Sequence, residues 1–333
     1  CEQPSRQSAK SDSRDQTEGQ DRMTKFAFIF PGQGSQFIGM GKDLAEAFPA
    51  AREVFSEVDS ALGQDLSTLI WEGSEEELKL TANTQPALMA VSVAAMRALQ
   101  SKGIRIEEAA FVAGHSLGEY SALAASGAIS VADAARVLRI RGNAMQQAVP
   151  PGEGAMAALL GATPEQAVAL CELGRAEGGV CEIANDNAPG QIVISGSKPA
   201  VELAASKTGD VGVKKAMMLP VSAPFHCSMM QPAADAMMSA LADIEIRSPS
   251  MPLVANVTAA PTTDPAEIRR QLIEQVCGQV RWRESVAAMA AAGVDEIWEL
   301  GAGKALSGMI RRIDRTIACT AVGSPEEVKA ALG

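Results

Sequence analysis

Histidine is nearly absent from this 333-residue chain: only His115 and His226 occur. Any imidazole chemistry therefore falls on one of these two. The six cysteines, at positions 1, 171, 181, 227, 277 and 319, form no CxxC pair and no metal-type cluster. They read as reduced thiols of a cytoplasmic protein, with no metal site. A basic excess is lacking too. The formal net charge is −11, which argues against a nucleic-acid or anionic-membrane partner. No apolar run approaches the ~18 residues of a membrane span. There are no internal repeats, and no G-x-x-x-x-G-K-[ST] phosphate loop is present.

What is present is enough for a large core: 47% of residues are hydrophobic and 21% charged. Residues 1–22 stand apart, since only Cys1 and Ala9 are apolar there. Such a stretch buries too little surface to order itself, and it lacks the apolar region of a secretory signal. It is expected to be a disordered N-terminal extension, with Met23 as the natural start.

The chain is organised around Gly114-His-Ser-Leu-Gly118, a G-x-S-x-G sequence. An apolar run from Ala109 to Ala113 leads in and reads as a buried strand. A helical stretch from Leu117 to Ser126 leads out. Strand, sharp turn and helix are the context of a nucleophile elbow, which exposes Ser116 and aims the helix N-terminus at a developing oxyanion.

Elsewhere, Lys25–Phe30 reads as an apolar strand and Pro31–Gln36 as a glycine-bearing loop. A long helix is predicted from Ala87 to Gln100 behind Pro86, and another from the Ser130–Asp133 cap through three arginines. Residues 153–221 read βαββαβ, the ferredoxin-like pattern. The expected architecture is an α/β, hydrolase-like core with a parallel sheet, spanning 23–152 and 222–333. A small ferredoxin-like subdomain, 153–221, is inserted into it. The methionine-rich stretches (Met217, Met218, Met229, Met230, Met237, Met238) read as core filler.

A serine hydroxyl needs a general base within hydrogen-bond reach. His115 adjoins Ser116, and neighbours on a sharp turn point apart, which leaves His226 in Ala223-Pro-Phe-His-Cys227. The group that orients the imidazole stays open at this level: Asp133, Asp186 and Asp210 lie in hydrolase-like order, and a backbone carbonyl is the alternative. The N–H of Leu117 is one expected oxyanion donor. The Pro31–Gln36 loop supplies the other, at Gln33. Arg136, Arg139 and Arg141 follow the elbow helix, and one guanidinium pointing inward would clamp a substrate carboxylate. Spacing does not choose among the three.

Seven stretches, in order, resemble the malonyl-CoA:acyl carrier protein transacylases of fatty-acid synthesis. They are Phe30-Pro-Gly-Gln-Gly-Ser-Gln36, Thr84-Gln-Pro-Ala87, Gly114-His-Ser-Leu-Gly-Glu-Tyr120, Arg139-Ile-Arg-Gly142, Ala188-Pro-Gly-Gln191, Pro224-Phe-His226 and Val280-Arg-Trp282. The resemblance implies that Ser116 is acylated by malonyl-CoA, with His226 as base and Gln33 and Leu117 as oxyanion hole. It implies that Arg141 binds the malonyl carboxylate and that Gln275 orients His226 through its main-chain carbonyl. The sequence departs at Gln279, where family members usually have proline. The implied reaction is ping-pong and uses no cofactor. Its partners are malonyl-CoA and holo acyl carrier protein, the latter steered by Arg281, Arg283, Lys304, Arg311 and Arg312, and the protein is expected to be a monomer. Phe225 beside His226 resembles malonyl-selective members. The rival activities are a serine thioesterase or esterase, a polyketide-type acyltransferase using another extender unit, and a non-catalytic carrier-binding subunit.

Overall fold

The structure is a computed structural model that describes residues 25–221 and 223–332. The expectations for residues 1–22 and for Met23 lie outside the described residues.

Two sheets carry the architecture. Strands β1 (Phe26–Phe30), β2 (Phe111–Gly114), β3 (Gly154–Leu160), β4 (Cys181–Ala188), β5 (Gln191–Ser197), β6 (Lys215–Met218), β7 (Leu253–Val254), β8 (Pro261–Thr262), β9 (Glu296–Leu300) and β10 (Ala318–Val322) follow one another along the chain. The larger sheet has the order β10-β9-β1-β2-β7-β8. All its pairings are parallel except that of β7 with β8. The smaller sheet, β4-β5-β3-β6, is antiparallel throughout. Helices Pro164–Gly174 and Lys198–Ser206 pack on it, as the βαββαβ reading predicts.

The central strand β1 is an unbroken apolar run because both of its faces are covered. In β1, Ala27, Phe28, Ile29 and Phe30 are all fully buried. Phe28, Ile29 and Phe30 each contribute roughly 1.5–3 kcal/mol of transfer free energy. Beside the sheet runs helix Thr81–Gln100, in which every residue from Thr84 to Met96 is buried. It begins before Pro86, not after it as predicted. A proline forfeits one helix hydrogen bond, and burial on all sides outweighs that loss.

Three further expectations are corrected. The run Pro252–Val257 yields only the two-residue β7, because Asn256 turns away to bond elsewhere. Strand β10 and helix Pro325–Ala331 were not anticipated, since Ala-Cys-Thr-Ala-Val is a short edge strand of small, partly exposed residues. Of the methionines, Met230 and Met237 are core, but Met217, Met218 and Met238 are exposed.

The two sheets are fastened together near Val280. Its N–H donates to Ala184 O, and its carbonyl accepts from Asp186 N. Arg283 grips the Asp186 carboxylate at 2.6 Å. This latch fixes the cleft between the sheets. No helix of the described residues is long and apolar enough to cross a membrane.

Candidate active site

At the end of β2 the chain reverses into helix Gly118–Ala125. A Cβ on Gly114 would lie 2.0 Å from the Gly118 backbone, so this turn closes only with glycine there. Ser116 at its apex has φ 53°, a left-handed conformation costing about 1–3 kcal/mol outside glycine. Asn256 holds that strained residue in place. Its Oδ1 accepts from Ser116 N at 2.8 Å, and its Nδ2 donates to Gly114 O at 2.7 Å.

His226 also has positive φ, 59°, and is buried. Its Nε2 lies 2.8 Å from Ser116 Oγ, and its Nδ1 lies 2.9 Å from the Gln275 carbonyl. A carbonyl only accepts, so Nδ1 carries the proton and Nε2 offers its lone pair to the serine hydroxyl. Burial, reinforced by the nearby Arg141 charge, lowers the His226 pKa to about 3. The ring is therefore neutral and ready to accept. Among the aspartates considered from sequence, Asp133 pairs with Arg136, Asp186 with Arg283 and Asp210 with Lys207. The orienting partner of His226 is the carbonyl of Gln275, and Gln279 does not disturb it.

Of the three arginines, Arg141 is the buried one, 1% exposed. Arg136 pairs with Asp133, and Arg139 bonds to Asn83 and Gln64 on the outside. Arg141 donates to Gln85 Oε1 and Gln275 Oε1, each at 2.8 Å, and to Ser116 Oγ at 3.2 Å. Its guanidinium also lies over the Tyr120 ring, 5.7 Å from the centroid.

Underneath is Glu119, 1% exposed. One carboxylate oxygen accepts from Gln275 Nε2 at 2.7 Å and Asn256 N at 3.2 Å. Burial raises its pKa to about 7, against the pull of those bonds and of Arg141.

A cleft of about 230 Å³ opens over Ser116, and Gln33, Leu117, Arg141 and His226 line it. The Gln33 loop abuts the elbow: a Cβ on Gly32 would sit 2.6 Å from His115 O. Leu117, at the start of the elbow helix, is buried. Phe225, Val193 and Leu219 form the apolar wall. His115 turns aside to Asn187 Oδ1 at 2.8 Å. Lys304, Arg311 and Arg312 lie outside the cleft lining. Lys304 pairs with Glu327 at 2.8 Å, and Arg312 reaches Gln191.

Sequence reasoning left Gln85, Glu119 and Asn256 without roles. Asn256 alone carries a signal, a polar residue closing the apolar run Leu253-Val-Ala, whereas Gln85 and Glu119 stand among other polar residues.

The family described as acyl transferase domain matches residues 27–297. The malonyl CoA-acyl carrier protein transacylases of Bacillus subtilis and Escherichia coli are each 46% identical over 93% of this chain, covering 97% and 99% of their own lengths. The chain belongs to the malonyl CoA-acyl carrier protein transacylase family. The solved acyl-carrier-protein-S-malonyltransferase of Bartonella henselae superposes with a TM-score of 0.90 at 54% identity, over 93% of this chain and 98% of that one. A malonyl-transacylase solved in complex with a type II PKS acyl-carrier protein gives a TM-score of 0.89 at 42% identity, over 93% and 99%. The parallel-sheet core with its smaller antiparallel sheet is thus the transacylase fold. It is built around a serine that touches a neutral imidazole and a buried guanidinium at once.

Proposed function

We propose that this chain transfers a malonyl group from malonyl-CoA to the phosphopantetheine thiol of an acyl carrier protein, through a malonyl ester on Ser116. One observation carries the reading. Ser116 Oγ lies 2.8 Å from His226 Nε2 and 3.2 Å from Arg141 Nη2, so nucleophile, base and carboxylate clamp converge on one hydroxyl.

In the first half-reaction His226 takes the Ser116 proton as Oγ attacks the thioester carbonyl. The Gln275 carbonyl holds the imidazolium that forms. The N–H groups of Leu117 and Gln33 receive the oxyanion, aided by the helix N-terminus. Collapse expels the coenzyme A thiolate, which takes the proton from His226. In the second half-reaction the carrier thiol gives its proton to His226 and attacks the malonyl ester. Ser116 then leaves and is reprotonated. Arg141 binds the malonyl carboxylate, in exchange for some of the amide bonds it makes in the free site. Phe225 narrows the space beside the α-carbon.

The division into a large unit, 23–152 with 222–333, and a small one, 153–221, is part of this reading. The two sheets and their separate apolar clusters support it. The acidic carrier is steered by Lys304, Arg311 and Arg312 near the cleft.

Intact-protein mass after malonyl-CoA tests the proposal. One malonyl group should appear on Ser116 and leave upon addition of holo carrier protein, with malonyl-carrier as product. Loss of the adduct to water at the same rate without carrier would instead make the chain a thioesterase.

A further inference from the structure

Arg141 is a buried cation without an ion-paired carboxylate among the described residues; its partners are two neutral amides and a hydroxyl. An uncompensated buried charge is costly, so the counter-charge must lie close. It lies one side chain away. The Gln275 amide accepts from Arg141 at 2.8 Å and donates to Glu119 at 2.7 Å, bridging the guanidinium and a carboxylate that is itself 1% exposed.

We propose that Glu119 is the counter-ion of Arg141 and takes up one proton from solvent when a dicarboxylic acyl group docks, so that this carboxylate couples acyl-group selection to pH. The inference rests on the reading that Arg141 receives the malonyl carboxylate. In the free site one cation faces one anion. Docking adds a second anion beside a guanidinium that is itself 1% exposed, and two carboxylates sharing one buried cation do not both stay ionised. The incoming carboxylate bonds Arg141 directly, and a carboxyl of ordinary pKa, about 4, keeps its charge there. Glu119 touches only the amide relay, and burial already holds its pKa near 7. It is the group that protonates. The ionisable groups acting on it are Arg141, from the helix beyond the elbow, and its chain neighbour Tyr120. Burial raises the Tyr120 pKa, which keeps that phenol neutral. His226 meets the network on its far side, through the Gln275 carbonyl. Glutamine at 119 would keep an oxygen to accept both bonds while removing the proton chemistry.

The experiment measures second-order rates of Ser116 acylation by malonyl-CoA and by acetyl-CoA between pH 6 and 9, in wild type and Glu119→Gln. Titration of His226 and of coenzyme A cancels in the ratio of the two donors. In wild type the malonyl-to-acetyl ratio should fall about tenfold per pH unit once pH passes the free-site pKa near 7, because one proton enters with malonyl. In Glu119→Gln the ratio should be high and flat. A flat wild-type ratio overturns the inference, and so does a slope that survives in Glu119→Gln. A merely structural Glu119 would slow both donors alike and leave the wild-type ratio flat. If Ser116 takes up no malonyl group at all, the proposed function falls together with this inference. An adduct with a flat ratio sinks this inference alone.

Discussion

Helix Pro265–Cys277 has two polar faces that behave in opposite ways. On the outer face Arg270 stands between Glu267 and Glu274, three full charges in water. On the inner face are two buried neutral amides, Gln271 and, with no exposed surface at all, Gln275. The Gln275 amide bonds Arg141, Glu119, Asn256 and the Ser116 carbonyl, and the backbone oxygen of the same residue orients His226. Water screens the outer charges and competes for their hydrogen bonds, so their arrangement decides little. No water competes inside, so each bond fixes a position and each missing bond is costly.

The deepest break of that inner network is His226→Ala. Without the imidazole the Ser116 proton has no acceptor, and acylation by malonyl-CoA should slow by roughly 10⁴-fold or more. Stopped-flow or quenched acylation checks this. A loss under about tenfold would mean that the 2.8 Å contact does not serve the reaction.

Next in size is Arg141→Ala. The acylation rate with malonyl-CoA should fall on the order of 10²- to 10³-fold while acetyl loading is spared, since only the dicarboxylic donor needs the guanidinium. Equal losses with both donors would assign Arg141 to holding Ser116 rather than to the acyl group.

The two faces also differ in how far the sequence discloses them. G-x-S-x-G between an apolar run and a helix marks Ser116 because the elbow is local: glycine, strand and helix all lie within about ten residues. Scarcity of histidine then leads to His226. The Gln275 relay is not local. Its partners come from positions 116, 119, 141, 226 and 256, with Gln85 joining through Arg141, and no spacing along one chain brings these together. Arg136, Arg139 and Arg141 are equivalent in sequence. Burial separates them, and burial depends on the Thr81–Gln100 helix packed alongside. The same limit explains Pro86: a rule about prolines at helix starts gives way to tertiary packing. The βαββαβ order was legible because each strand and helix carries its own local pattern, although only β4 and β5 pair as chain neighbours while β3 pairs with β5 and β6. Strand β10 was not, since its apolar signal is weak and it joins the sheet only through β9.

Gln275→Ala sharpens the comparison, because it deletes the amide and leaves the carbonyl in place. His226 stays oriented, so acylation should fall only about tenfold. Arg141 and Glu119 each lose a buried partner, and stability should drop by about 2–4 kcal/mol. Calorimetry should show the melting temperature lowered by several degrees or more. An unchanged melting point would mean that the cleft admits water to those groups.

Burial of the imidazole has its own consequence for pH. The folded-state pKa of His226 is lowered to about 3, whereas in the unfolded chain it is about 6.5. The stability tied to this group is thus complete above pH 6.5 and is lost progressively as pH falls from there toward 3. Acylation by acetyl-CoA, which does not load Arg141, should change less than about twofold between pH 7.5 and 5.5. An acid limb centred at 6.5 would place the ring in contact with water.

Arg270→Ala is the control on the outer face. The substitution removes contacts to two carboxylates on its own helix, more charge–charge bonding than any variant above deletes. Counting contacts alone therefore predicts a large effect. Solvent screening predicts almost none, because Glu267 and Glu274 regain water as soon as the guanidinium leaves. Acylation rate, donor preference and melting temperature should all match wild type within error. A loss approaching that of Gln275→Ala would show that the outer ion pairs hold the helix against the elbow, and that the network beneath Ser116 is shaped from both sides.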